Sequence, residues 1–176
     1  MSSIIDKILT AKTSQRSDQI RDGQYLFMVR KLVLGDMEGG QTFVAELEVI
    51  ESCSKGDLDP ITKQPVVPNF VKSIVGYVQQ LQKHPSAPGN AQKFLNALLG
   101  ADGADPKKIE NAITNLLSEE GQKTQGARGL LVRGSTYQQI VKSGPNTGKI
   151  NTYTSFFNVP DSEQGDIAAR AAKISG

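Results

Sequence analysis

The stretch at residues 23–51 constrains the fold more than any other part of the sequence. A long run of β-forming residues, 25–34, is followed by a polar, glycine-containing turn at 35–40. A second run, 41–51, alternates between an apolar face (Phe43, Ala45, Leu47 and Val49) and a polar face (Thr42, Glu46 and Glu48). Two strand-like runs around such a loop predict an antiparallel β-hairpin. Because the first run is apolar on both faces, we expect it to be covered on both sides, as when a strand bends between the two halves of a small barrel.

The remainder of the chain predicts an α+β fold. After a breaker-rich loop at 52–69, a third strand is expected at 71–81. Helical spacing then indicates one helix with Asn90 as its N-cap and Gly100 at its end, and a second that begins at Pro106 and ends at Gly121. Further strands are expected over 126–142 and 149–159. This order predicts a five-stranded antiparallel OB-like β-barrel with a helical insertion, 85–121, between strands 3 and 4. The barrel domain, 23–160, would follow a helical arm at 1–22 and precede a polar tail at 161–176.

Length and charge narrow the functional classes. A chain of 176 residues favours one domain, and a net charge of +2 means that any nucleic-acid binding must depend on a local patch. No apolar run approaches the roughly 20 residues of a membrane-spanning helix, and the N-terminus is not a secretory signal. The single cysteine, Cys53, fits a reducing compartment. We therefore expect a cytoplasmic protein that does not bind a membrane.

The sequence matches no catalytic motif completely. His84 is the only histidine, which disfavours a histidine-based metal site or a Ser-His-Asp triad. The segment 144–149 resembles a phosphate loop, but it has three residues between its glycines where four are needed, and Ile150 follows Lys149. Glu46 and Glu48 fit a solvated sheet face better than a paired acid site. The sequence thus predicts a protein that is not an enzyme and that uses no cofactor, metal or small-molecule substrate.

Aromatic and basic side chains are interleaved along the predicted strands. Single-strand binding without sequence preference needs both, since cations contact phosphates and aromatic rings stack on bases. We expect three tyrosines to stack on bases: Tyr77, Tyr137 and Tyr153. We expect six cations to contact phosphates: Arg30, Lys72, Arg128, Arg133, Lys142 and Lys149. All should converge on one outer groove, away from Glu46 and Glu48, whose carboxylates would repel phosphates.

The chain resembles a group of small bacteriophage proteins in three segments and one dipeptide. The segments are 22–29, 46–51 and 93–100, and the dipeptide is Arg128-Gly129. Those proteins are similar to single-stranded-DNA-binding OB-fold proteins of phage replication and recombination modules. The resemblance implies a sequence-tolerant binder of single-stranded DNA that acts in phage DNA replication or recombination in the host cytoplasm. The alternative is a phage structural or assembly adaptor that self-associates through its arm, its 52–69 loop and its tail. The near-neutral charge suits the adaptor equally well, and homo-oligomer formation is compatible with either function.

Overall fold

A computed structural model describes residues 18–37, 40–100, 106–160 and 163. They form β1 (Gly23–Met37), β2 (Gly40–Cys53), β3 (Ile74–Gln80), α1 (Ala87–Leu99), α2 (Pro106–Leu117), α3 (Glu119–Thr124), β4 (Leu131–Ile140) and β5 (Ile150–Asn158). The strands make one antiparallel sheet in the order β3-β2-β1-β4-β5. The predicted α+β class, with helices between the third and fourth strands, is confirmed. The helix predicted in the arm and nearly all of the tail lie outside the described residues.

Strand β1 is the longest strand and connects the two halves of the sheet. From Gln24 to Met28 it pairs with β2 on one edge and β4 on the other, and beyond Met28 it pairs with β2 only. Two register shifts against β2 mark bulges, which bend a strand and increase its twist. Where β4 no longer reaches, glutamines of the α3 region replace it: Gln125 accepts a hydrogen bond from the Leu32 N–H and Gln122 from the Leu34 N–H, both at 2.9 Å. The second half of β1 therefore keeps partners on both edges.

Both faces of β1 are buried, as its sequence predicts. On the face toward the helices, Tyr25, Phe27 and Val29 join the predicted apolar face of β2 in the main core. On the opposite face, Leu26 packs in a second cluster with Ile50, Leu131 and Val159. The polar face expected for β2 is only partly exposed. Thr42 and Glu48 are buried, while Glu46 is about half exposed and shares Arg30 with Glu48, at 3.9 and 3.7 Å respectively.

The sheet curls until its two end strands approach each other. Ring centroids of Tyr77 in β3 and Phe156 in β5 are 4.7 Å apart, and Phe94 of α1 packs against both, at 5.6 and 4.8 Å. Within the described ranges, however, β3 and β5 are not hydrogen-bonded to each other. The closed barrel expected from the sequence is therefore not confirmed, because aromatic packing through α1 joins the two end strands in place of a backbone ladder.

Several expected boundaries were wrong. β3 begins three residues late because residues 71–73 form a turn, in which Lys72 adopts a left-handed φ of 74°. α1 begins at Ala87 with a proline in its first turn, so Asn90 lies inside the helix and is not its cap. Gly100 does end α1, at φ 67°.

The second expected helix is divided in two. Ser118 interrupts it, and its hydroxyl accepts the Gly121 N–H at 3.1 Å and so caps α3. Gly121 thus lies within α3 and does not end the helical insertion. β4 begins only at Leu131, because residues 126–129 form a turn.

Candidate nucleic-acid interface

The outward face of β4 and β5 carries a group of exposed aromatic rings. Antiparallel pairing places Tyr137 directly opposite Tyr153, and Arg133 opposite Phe157. Because strand side chains alternate with a period of two, all four lie on the same face. The two tyrosine rings are stacked, with centroids 5.3 Å apart and planes 21° apart, and they are 43% and 42% exposed. Phe157 is 54% exposed. This face therefore presents three rings to solvent.

Cations border these rings. Lys55 Nζ lies 5.6 Å from the centroid of the Tyr137 ring, donates a hydrogen bond to Ser135 Oγ at 3.3 Å and is 3.2 Å from Asp57 Oδ2. Arg133 Nη1 is 3.8 Å from Glu51 Oε2, and both side chains are nearly half exposed. Exposed ion pairs such as the one between Arg133 and Glu51 contribute only about 0–1 kcal/mol, whereas the pair between Lys55 and Asp57 is partly buried. Lys142 and Lys149 are exposed on the hairpin that joins β4 to β5.

The 54–69 loop brings Lys55 to this face and is more ordered than its composition suggests. Leu58 and Pro65 form an antiparallel bridge. At the tip, the Asp59 carboxylate accepts the backbone N–H groups of Thr62 and Ile61, both at 2.8 Å, and these bonds hold the pKa of Asp59 below its ordinary value. The loop is also fixed at its far end.

That anchor is Asn69, which is buried beside β1. Its backbone N–H donates to the Tyr25 hydroxyl at 3.0 Å, and its Oδ1 accepts the Arg21 N–H at 2.8 Å. The side-chain amide donates to the Gln19 carbonyl at 3.0 Å. The loop therefore returns to the sheet at a fixed position. Its other end, at Lys55, lies close to β4 because Gln24 of β1 pairs with both Cys53 and Ser135.

Tyr77 does not join the other two tyrosines. It lies on the core side of β3, is 9% exposed and packs edge-on against Phe156. Burial raises the pKa of its hydroxyl to about 12. Tyr77 thus faces the core and not the outward face of β4 and β5, because the alternation of β3 turns Gly76 and Val78 outward and Tyr77 inward. It meets the other two tyrosines only in the lining of a cleft beside β5.

Three of the six predicted cations also lie elsewhere. Arg30 contacts Glu46 and Glu48 on the outward side of β1 and β2. Lys72 is exposed in the turn before β3, and Arg128 is exposed in the turn before β4. Of the six, Arg133 therefore lies on the strand face of the exposed tyrosine pair, and Lys142 and Lys149 lie on the hairpin that joins β4 to β5. The other three, Arg30, Lys72 and Arg128, lie outside the β4–β5 pair.

A cleft of about 750 Å³ adjoins the stacked tyrosines. It lies between α1 and the two end strands, and both Tyr137 and Tyr153 contribute to its lining. Asn90 and Lys93 of α1 face it from one side, with an Asn90 Nδ2 hydrogen bond to Gln79 Oε1 at 3.3 Å that ties α1 to β3. At its end, Asn158 Nδ2 donates to the Ala97 carbonyl at 2.8 Å.

No family profile, curated protein or solved structure matches this chain. In the part of the chain that the structure describes, no three His, Cys, Asp or Glu side chains are grouped so that they could hold a metal ion. None of the described helices is long and apolar enough to cross a membrane.

Sequence reasoning missed Lys55 as a cation of this interface and the polar side of α1 as a wall of the cleft. The sequence does indicate the cleft-facing side of α1, since Asn90, Lys93 and Ala97 have the i, i+3, i+7 spacing of residues on one side of a helix. This side lies next to the apolar face of α1. Lys55 had no such signal in the sequence, because its position beside Ser135 depends on the register of β2, β1 and β4.

Proposed function

We propose that this protein is a sequence-tolerant single-stranded DNA-binding protein that acts in phage DNA replication or recombination. One observation carries the proposal: a stacked, half-exposed Tyr137–Tyr153 pair shares a strand face with Phe157 and Arg133. Aromatic rings stack on bases of any sequence, at about 1–3 kcal/mol for each base, and neighbouring cations hold the phosphates.

The spacing of these groups suits an extended strand. Residues on one face of a β-strand repeat about every 6.6 Å, so Tyr153 and Phe157 stand roughly 13 Å apart along β5. They form two separate stacking platforms, with Arg133 opposite the second and Lys149 just before the start of β5. A single strand that runs along β5 would therefore meet a ring and a cation at both ends of its path.

The sheet order supports an OB-like arrangement. An OB-fold is a partly open five-stranded barrel that binds oligonucleotides with the face of its strands 2 and 3 and with its β1–β2 and β4–β5 loops. Here the first strand pairs with both the second and the fourth, the helices lie between the third and fourth, and the end strands approach without pairing. The β4–β5 loop of this chain contains Lys142 and Lys149.

Electrostatics also separates this face from the outward side of β1 and β2. There the two carboxylates of Glu46 and Glu48 share one guanidinium, that of Arg30. The partly exposed carboxylate of Glu46 would repel phosphates from that surface. The bound strand should therefore be confined to the β4–β5 face.

Fluorescence anisotropy with labelled single-stranded and duplex oligonucleotides, at several salt concentrations, tests the proposal. For single strands, log affinity should fall against log salt by about 0.7 for each phosphate contact, which gives a slope of roughly −3 if Lys55, Arg133, Lys142 and Lys149 all contribute. We expect single strands to bind more tightly than duplex. A flat slope, or equal affinity for duplex, would contradict the proposal.

A matched pair of variants separates stacking from general loss of an aromatic residue. Tyr153→Ala should weaken binding by about 1–3 kcal/mol, the contribution of one stacked base. Phe70→Ala removes a ring that is 69% exposed but lies in the turn before β3, away from β5. It should leave affinity unchanged.

A second candidate, the self-associating adaptor, is favoured by the 54–69 loop. Its bridged hairpin exposes apolar side chains at Leu58, Ile61 and Val67. Such side chains could contact neighbouring copies. Light scattering across protein concentration, with a gel shift on the same samples, separates the two functions, since large ordered oligomers without a shift would favour the adaptor.

A further inference from the structure

The cleft beside the stacked tyrosines has the size of a small-molecule site. Its volume of about 750 Å³ lies within the roughly 300–1,000 Å³ of typical ligand pockets. The rings of Tyr77 and Phe156 contribute an aromatic surface, and Thr152 and Thr154 of β5 face α1 across it. Because Tyr153 lines it too, the cleft is continuous with the stacking face over the edge of β5.

The lining chemistry excludes several classes of ligand. Among the described residues that line the cleft, none is a carboxylate and the only charged side chain is Lys93. Lys93 is exposed and forms no ion pair with any other described residue. One cation is too few for a polyanion, and the polar walls do not suit an apolar ligand.

Side-chain amides are the main polar groups of the cleft, and they come from Gln79, Asn90, Asn96 and Asn158. An amide offers two N–H donors and a carbonyl acceptor, a combination that matches the hydrogen-bonding edge of a nucleobase. Asn90 and Asn158 each use their Nδ2 in a bond within the protein, so each keeps its Oδ1 as an acceptor. An aromatic surface, amides and a single cation together fit a base with one attached phosphate.

We infer that this cleft is a nucleobase pocket, into which one base of the bound single strand turns over the edge of β5. The neighbouring base stacks on Tyr153, and Lys93 contacts the phosphate between the two. The inference rests on the proposed function and adds to it a site that holds a base by its edge.

An introduced fluorophore tests whether a base enters. The chain contains no tryptophan, so Thr152→Trp places a single indole in the cleft. Val78→Trp is the matched control, because Val78 is exposed on the outward side of the other end strand. A saturating oligothymidylate should quench most of the Thr152→Trp emission and leave the Val78→Trp emission unchanged.

Two further variants test the assigned contacts. Lys93→Gln and Asn96→Leu should each weaken oligothymidylate binding by roughly twofold to tenfold, the net effect of one hydrogen bond. Lys93→Gln should also reduce the salt slope by about 0.7, whereas Asn96→Leu should leave the slope unchanged. Thermal unfolding of both variants confirms that the fold is retained.

The outcomes distinguish this inference from the function on which it rests. If Tyr153→Ala weakens binding while Thr152→Trp is not quenched and both cleft variants bind normally, the pocket is wrong and the single-strand function stands. If the unaltered protein binds no oligonucleotide, the proposed function fails and the pocket fails with it.

Discussion

Gly134 of β4 lies directly against the ring of Phe27. A methyl group at this position should destabilise the core beneath the outward face of β4 and β5. A β-carbon at Gly134 would stand 2.6 Å from Phe27 Cε2, 3.3 Å from Phe27 Cδ2 and 3.6 Å from Phe156 Cε1. The φ of Gly134 is not in the left-handed region, so the backbone itself would accept alanine. Only the ring opposes the substitution.

The magnitude follows from the space available. Carbon atoms in favourable contact are about 3.5–4.0 Å apart, so the Phe27 ring would have to retreat by roughly 1 Å. Phe27 is fully buried and stacked on Tyr25 at 5.0 Å, which leaves it no free volume. Overpacking of a core usually costs about 1–3 kcal/mol. Replacing glycine within a strand returns about 0.5–1 kcal/mol, so Gly134→Ala should lower the free energy of unfolding by about 1–2 kcal/mol.

Urea denaturation measures this change, and Gly35→Ala is the matched control. Gly35 also lies in a strand, but a β-carbon there would meet no described atom within 4 Å. Its substitution should be neutral or slightly stabilising. Adding Phe27→Leu to Gly134→Ala should give a favourable coupling energy above about 0.5 kcal/mol, since the smaller side chain makes room for the methyl group. Equal stability of the two alanine variants, or strict additivity in the cycle, would refute the packing argument.

Three further predictions concern buried polar groups. Tyr25→Phe removes a hydroxyl that donates to the Arg21 carbonyl at 2.7 Å and accepts the Asn69 N–H. The substitution should therefore lower the free energy of unfolding by about 1–3 kcal/mol and speed hydrogen exchange at Asn69. Burial raises the pKa of Asp22, whose Oδ1 has no hydrogen-bond partner in the described ranges. The ionised Asp22 carboxylate therefore destabilises the fold at neutral pH, and this effect disappears below pH 3.8. Asp22→Asn should increase the free energy of unfolding at neutral pH and change it little in acid. Burial raises the pKa of Tyr77 from its ordinary value of 10.0 to about 12, so the free energy of unfolding should fall as pH rises between those values. Denaturation of Tyr77→Phe should show a weaker decline.

The core could be predicted from the sequence where one periodicity dominates. Phe43, Ala45 and Leu47 alternate in β2, and Phe94 and Leu98 repeat at helical spacing in α1, so each pattern selects the face that joins the main core. All five are buried as expected. The side-chain period of an element thus decides its orientation before any tertiary contact is known.

Tyr77 shows where that reasoning ends. Its strand has apolar side chains at both parities, at Val75 and Tyr77 on one face and at Ile74 and Val78 on the other. Alternation therefore cannot select the buried face. The choice is made by Phe94 and Phe156, which are distant in sequence and surround the Tyr77 ring only when the sheet curls.

The net charge of this chain does not indicate the charge of its individual surfaces, because its charged residues are unevenly distributed. Residues 131–160, which contain β4, β5 and their connecting hairpin, include Arg133, Lys142 and Lys149 but no aspartate or glutamate. The carboxylates that contact this face come from elsewhere, with Glu51 beside Arg133 and Asp57 beside Lys55. The pair between Arg133 and Glu51 is exposed and therefore weakly held, whereas the pair between Lys55 and Asp57 is partly buried. The net charge of +2 is the sum of this acid-free segment and of segments rich in carboxylates, such as β2. Whether a polyanion can approach a surface depends on the local sign of the charge there.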